Sequence, residues 1–108
     1  MILDDVIAAY CAMGVQRGDV IEVSSDVRAM VMRMRQEEKR KGITPKSFGG
    51  YMDEIIDALQ ALVSSEGTLL FPTYTWAFCK GEAWDYEHTL GETGILSNHA
   101  LMREDFTR

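Results

Sequence analysis

Apolar residues recur along this chain with two different periods. Leu3, Val6, Ile7, Tyr10 and Met13 return every three to four positions, which puts them on one face of a helix over about residues 3–13. Asp4 and Asp5 suit the positive N-terminal end of that helix. Gly14 suits the position just past its C-terminus. After a turn at Arg17-Gly18-Asp19 comes Val20-Ile21-Glu22-Val23, short and rich in β-branched residues, which reads as a mostly buried strand. Ser24-Ser25-Asp26 follows it, three residue types that start helices well. Val27, Met30, Val31 and Met34 then resume the helical period. The polar run RQEEKRK at 35–41 reads as the solvated end of this helix, with its cations near the C-terminus, and Gly42 as its stop. Phe48, Met52, Ile55, Ile56, Leu59, Leu62 and Val63 make the longest apolar stripe and predict a helix over about residues 47–63. Thr68-Leu69-Leu70-Phe71 reads as a second buried strand, ended by Pro72. Residues 73–92 carry no periodic pattern and read as one long loop, a length that in compact domains often signals function. Thr93 is expected to cap a last helix holding Ile95, Leu96 and Leu101.

The order helix, strand, helix, helix, strand implies an α/β layer structure. The fold expected is a set of helices packed on a small, mainly parallel sheet. Its two strands would be adjacent and joined by a right-handed crossover. At 108 residues the whole chain, 1–108, reads as one domain.

Charge narrows the partners. Seventeen acidic residues against eleven basic ones give a formal net charge of −6, unsuited to cationic contact with nucleic-acid phosphates. The acidic balance suits a cationic amine, or simply keeps the chain in solution. No apolar run approaches the roughly 20 residues that cross a bilayer, and the start MILDD is unlike a basic secretory leader. The expectation is a cytoplasmic protein, without membrane or nucleic-acid partners, in which Cys11 and Cys79 are free thiols.

Two motifs carry candidate chemistry. Ser24 and Ser25 lie between a strand and a helix N-terminus, where hydroxyls and free N–H groups suit an anion or an amide-bearing ligand, or only cap the helix. Pro72-Thr73-Tyr74-Thr75-Trp76 follows the second strand; in open α/β sheets ligands bind at such carboxyl ends, so both motifs are expected at one cleft. The same loop can equally be packed aromatic structure. Glu82, Asp85, Glu87 and Glu92, with His88 among them, offer carboxylates for ammonium groups or form a solvated loop. Neither His88 nor His99 is paired by sequence with an orienting carboxylate or a nucleophile. Cys79, Asp85 and His88 lack zinc-site spacing, so no metal is expected.

The ordered set of motifs resembles the aminoglycoside 3-N-acetyltransferase family. GVQRGDVIEVSSDV at 14–27 resembles that family's opening strand and Ser-Ser loop. SSEGTLLFPTYTWAFC at 64–79 is similar to its second strand and Pro-Thr-x-Thr-Trp loop, and GETGILSNHALMRED at 91–105 to its Glu-x-Gly helix. The resemblance implies acetyl transfer from acetyl-CoA to the amine of an aminoglycoside or related amino sugar. It implies coenzyme contacts from Ser24, Ser25, Thr73 and Tyr74, and acceptor contacts from Thr75, Trp76 and Glu92. Val23 stands where aminoglycoside-modifying members often carry His, and the Val-Ser-Ser-Asp version is more like members associated with surface-polysaccharide amino sugars. The family's catalytic His lies downstream of the Glu-x-Gly helix. The chain is therefore expected to be an N-terminal portion of a larger acetyltransferase fold, with no catalytic residue assigned within it. The alternatives are a non-catalytic α/β ligand-binding module and a fragment that works by self-association.

Overall fold

In a computed structural model describing residues 2–108, the strongest stripe in the sequence becomes the centre of the core. Helix α3 (Phe48–Val63) buries Tyr51, Met52, Ile55, Ile56, Leu59 and Val63. Ser47 caps it, its hydroxyl accepting from the Gly50 N–H at 3.1 Å. Around α3 pack α1 (Ile2–Ala12), α2 (Arg28–Arg40) and α4 (Ile95–Leu101). α2 contributes Val31 and Met34 to the core, and α4 contributes Leu96 and Ala100. α1 ends as its Gly14 predicts: Val15 N–H reaches the Tyr10 carbonyl and Gly14 N–H the Cys11 carbonyl, both at 3.1 Å, with Gly14 at φ +104. That left-handed turn closes the orphan carbonyls of the helix end and favours a residue without Cβ.

Strands β1 (Val20–Glu22) and β2 (Thr68–Leu70) pair in parallel, with Val20 opposite Thr68 and Glu22 opposite Leu70. The described residues thus form a small α/β protein with four α-helices and a two-stranded parallel sheet. The strands are less buried than their composition suggests. Ile21 and Leu69 are half-buried, and β2 rests on α3, whereas Val20 and Leu70 are 66% and 49% exposed. Parallel sheets are normally covered on both faces; this one is covered on one.

Its outer edge is also open. Thr68 N–H donates to Asp19 and the Leu70 carbonyl accepts from Val23, so alternation along β2 turns the N–H and C=O of Leu69 away from β1. A groove runs along that edge, lined by Val63, Leu69, Leu70 and Phe106 together with Gln60 and Asp105. Among the described residues no helix is long and apolar enough to cross a membrane.

Three local expectations need correction. Ser24, Ser25 and Asp26 do not cap α2. Its N-cap is Val27, without a side-chain bond, and Asp26 Oδ1 instead accepts from Arg28 N–H at 3.2 Å. Nor does Thr93 cap α4, whose N-cap is Gly94; the Thr93 hydroxyl donates to the Pro72 carbonyl at 3.1 Å. The polar run at 35–41 is not wholly solvated, since Glu38 is 4% exposed. Its carboxylate accepts from the Tyr51 hydroxyl at 2.5 Å and from Lys46 Nζ at 2.9 Å, joining α2 to the start of α3. These two donors, Tyr51 foremost, hold the Glu38 carboxyl below its usual range against the opposing effect of burial.

A second polar cluster fixes α4. Arg103, just past that helix, reaches Asp57 at 2.9 Å, Asp105 at 2.8 Å and Asp53 at 3.3 Å, while His99 Nε2 lies 2.8 Å from Asp53. Asp105 also accepts from Gln60 at 2.8 Å. Arg103 first and Gln60 second hold Asp105 far below the ordinary carboxylate range. A depressed native value contributes stability that is fully present above the ordinary value of about 3.9 and lost as pH falls through the native one. Acid is therefore expected to weaken the fold below about pH 4, with Asp105→Asn flattening that limb of a stability-versus-pH curve measured in urea. An unchanged limb in the variant would remove Asp105 as the cause.

Candidate functional site

The parallel register brings the carboxyl ends of β1 and β2 to the same edge of the sheet, and both motifs leave from there. The segment between them is supplied by 91–94, the residues preceding α4. Gly91 lies against Thr73, so close that a Cβ there would stand 2.7 Å from Thr73 Cα. Glu92 N–H donates to the Tyr74 carbonyl at 2.7 Å, and the Thr93 hydroxyl bonds the Pro72 carbonyl. At the far end a Cβ on Gly94 would stand 3.1 Å from the Ser25 carbonyl. Asn98 in α4 braces this segment from behind: its amide oxygen accepts from Gly91 N–H at 2.7 Å and its amide nitrogen donates to the Gly91 carbonyl at 2.8 Å. The two strand ends are thus spanned by one short segment, which closes the direct path between the motifs.

As a consequence the candidate coenzyme residues do not share one cavity. Ser24 and Ser25 line a cavity of about 230 Å3 on the outer side of β1, with Tyr10, Met13, Val15 and Leu59 among its walls. Thr73 lines a different one of about 220 Å3, beside Phe71, Ala100 and Phe106. Tyr74 and Trp76 lie on the surface, 65% and 57% exposed, as aromatic faces open to a ligand. Thr75 and Glu92 are both engaged locally. Thr75 Oγ1 accepts from Ala77 N–H at 3.2 Å and Glu92 Oε2 from Trp76 N–H at 2.7 Å. Together they start a single 3-10 turn, Ala77–Lys80, inside a segment that reads in sequence as irregular throughout. Glu92 is thereby a structural anchor of the loop as well as an exposed carboxylate.

The histidines acquire partners that sequence did not assign. His99 is committed to Asp53 of α3. His88 places Nδ1 2.9 Å from Asp85 Oδ2 on the exposed loop. The His88 contact, then the Glu87 N–H, lowers the Asp85 carboxyl below its usual value. An imidazole so held keeps its other nitrogen outward. No grouping of three or more His, Cys, Asp or Glu suited to a metal ion occurs among the described residues, and Cys11 and Cys79 are free and exposed.

Several residues that build this region carried no signal of a place beside the serines. Tyr10, Met13, Val15 and Leu59 sit on two helices and a turn, and only folding brings them beside Ser24. Asn98 is a polar residue inside an apolar helix, which is a weak signal that its side chain has a specific partner.

No protein-family model matches this chain, and comparison with curated proteins and with solved structures returns no match.

Proposed function

We propose that this chain is part of an acetyl-CoA-dependent N-acetyltransferase whose acceptor is an amine of an amino sugar. The observation that carries the reading is the parallel pairing of β1 with β2, which sets the Ser24-Ser25 and Thr73-Tyr74-Thr75-Trp76 motifs at neighbouring strand ends. The cavity beside the serines supports it. Apolar walls from Tyr10, Met13, Val15 and Leu59 suit an extended pantetheine arm, and two hydroxyls suit its amides. Exposed Tyr74 and Trp76 suit the apolar face of a sugar, and the acidic loop suits its ammonium groups.

In the reaction the acceptor nitrogen bonds to the thioester carbonyl carbon, the carbon–sulfur bond breaks, coenzyme A leaves as the thiolate, and the amine proton passes to a base. The attacking amine must be neutral, so a general base takes up the proton that its nitrogen loses. Titrating the labelled chain with acetyl-CoA while recording amide spectra tests the reading. Shifts concentrated at Ser24, Ser25 and the neighbouring amides of Met13 and Val15 are the expected result. A dispersed spectrum that stays unmoved at millimolar acetyl-CoA would count against it.

A second reading, self-association, is favoured by the open edge of β2 and the exposed Val20 and Leu70. An unpaired strand edge beside a groove is a template for another strand. A mass that rises with concentration, without coenzyme-induced shifts, would favour this reading over the first.

A further inference from the structure

The loop over 73–92 is held at two places. The first is the strand-end segment described above. The second is a turn over 85–89 that closes on itself. Thr89 N–H donates to the Asp85 carbonyl at 3.0 Å, Asp85 N–H to Thr89 Oγ1 at 2.7 Å, and Glu87 N–H to Asp85 Oδ1 at 2.9 Å. These bonds shape the turn but do not by themselves locate it on the protein.

Arg108 does. Its Nη1 donates to the Tyr86 carbonyl at 2.7 Å and the Asp85 carbonyl at 3.3 Å, and its Nη2 donates to the Thr89 carbonyl. The guanidinium also lies 5.1 Å from the centroid of the Trp84 ring, and the Tyr86 hydroxyl donates to the Arg108 carbonyl at 2.9 Å. A planar fork serves three carbonyls of one turn at once while lying on an aromatic face. A lysine ammonium, a point charge on a flexible stem, does not reproduce that geometry.

What the turn positions is a wall. Between it and the end of α4 lies a crevice of about 550 Å3, lined by Tyr86, Glu87, His88, Met102, Phe106 and Arg108 itself. That volume falls within the range of small-molecule sites, about 300–1,000 Å3. Tyr86 offers an aromatic face, Glu87 a carboxylate, and His88 an imidazole oriented by Asp85.

We infer that Arg108 is the positioning residue of this wall, seating the 85–89 turn so that the crevice admits the amine-bearing ring of the acceptor. The ligand class rests on the acetyltransferase reading; the latch rests on the contacts of Arg108 alone.

The experiment compares Arg108→Lys and Arg108→Gln with the parent chain. In both variants the amides of 85–89 and the Trp84 indole are expected to shift and to exchange faster with solvent. The amides of α3 should be unmoved, which shows that the fold survives. In a titration with an amino sugar, the Kd read from amides lining the crevice is expected to rise about tenfold in both variants, the mark of lost ground-state binding. Acetyl-CoA shifts at Ser24 and Ser25 should persist. The inference is overturned if Arg108→Lys leaves the 85–89 amides at their parent shifts and exchange rates, or if the turn loosens without moving the amino-sugar Kd. If the parent chain binds no amino sugar, the failure belongs to the acetyltransferase reading, and the 85–89 amides alone decide whether Arg108 is the latch.

Discussion

Ile56→Ala is expected to destabilise the protein by about 2–5 kcal/mol, a large part of the roughly 5–15 kcal/mol that holds a small domain folded. Ile56 is fully buried, at 0% exposure, in the middle of α3. Helices α1, α2 and α4 and strand β2 all pack against α3. A cavity opened there is bounded on several sides by separate elements, and none can close it without leaving its other partners. The loss therefore includes the cavity as well as the transfer of the missing methyl and methylene groups. Ile56→Val removes one methylene and should cost only about 0.5–1.5 kcal/mol. Urea midpoints for the two variants at equal slope measure the difference. If alanine proved no more damaging than valine, the core would be more plastic than the packing around α3 implies.

The second large effect is expected at Gly91. Alanine there would place Cβ 2.7 Å from Thr73 Cα and 3.0 Å from its carbonyl carbon, and both are backbone atoms. One side of the clash belongs to the chain leaving β2. The other is fixed by the paired bonds from Asn98. The segment 91–94 cannot retreat without giving up those bonds, and Thr73 cannot retreat without disturbing the end of the sheet. Overpacking of this kind costs about 1–3 kcal/mol. It should also release Glu92 from the Tyr74 carbonyl and from Trp76 N–H, so that the start of the 3-10 turn loosens. The spectrum of Gly91→Ala should then show displaced amides at 73–76 and 91–94, with α1 and α2 unaffected. A variant with parent stability and parent shifts in that region would mean that the close approach of Gly91 to Thr73 is not needed.

The two substitutions separate two kinds of information in the chain. Ile56 is legible from periodicity, because one apolar face repeated over sixteen residues has few ways to be satisfied except burial. Gly91 is not. Nothing in its neighbours announces that Thr73, eighteen positions away, will press against it. The same division runs through the candidate site. Ser24, Ser25 and the Thr73-Tyr74-Thr75-Trp76 run stand out as hydroxyls and aromatics directly after strands, and parallel pairing puts both at one edge as expected. That they open into separate cavities follows from the 91–94 segment crossing between them, which depends on where α4 docks.

Glu38 shows why local polarity misleads. In a run of seven residues with six charges, its solvation is the natural reading, yet the turn between α2 and α3 carries Lys46 and Tyr51 onto it. Ser24, Ser25, Asp26 and Thr93 mislead in the opposite way, as good capping types whose side chains do other work or none at the helix ends. Arg108 belongs to the same group, since an arginine is ordinary until three carbonyls of a distant turn converge on it.

By itself the sequence determined the kind and order of the α-helices and strands, the core face of α3 and the glycine turn after α1. These depend on periods and backbone preferences that act over a few residues. Only the tertiary structure decided which polar residues are buried, how the strand ends are bridged, which cavity each motif faces and what holds the aromatic loop. Those outcomes depend on single contacts between residues far apart in the chain. Such contacts are set by the packing of whole elements, and no local pattern encodes them.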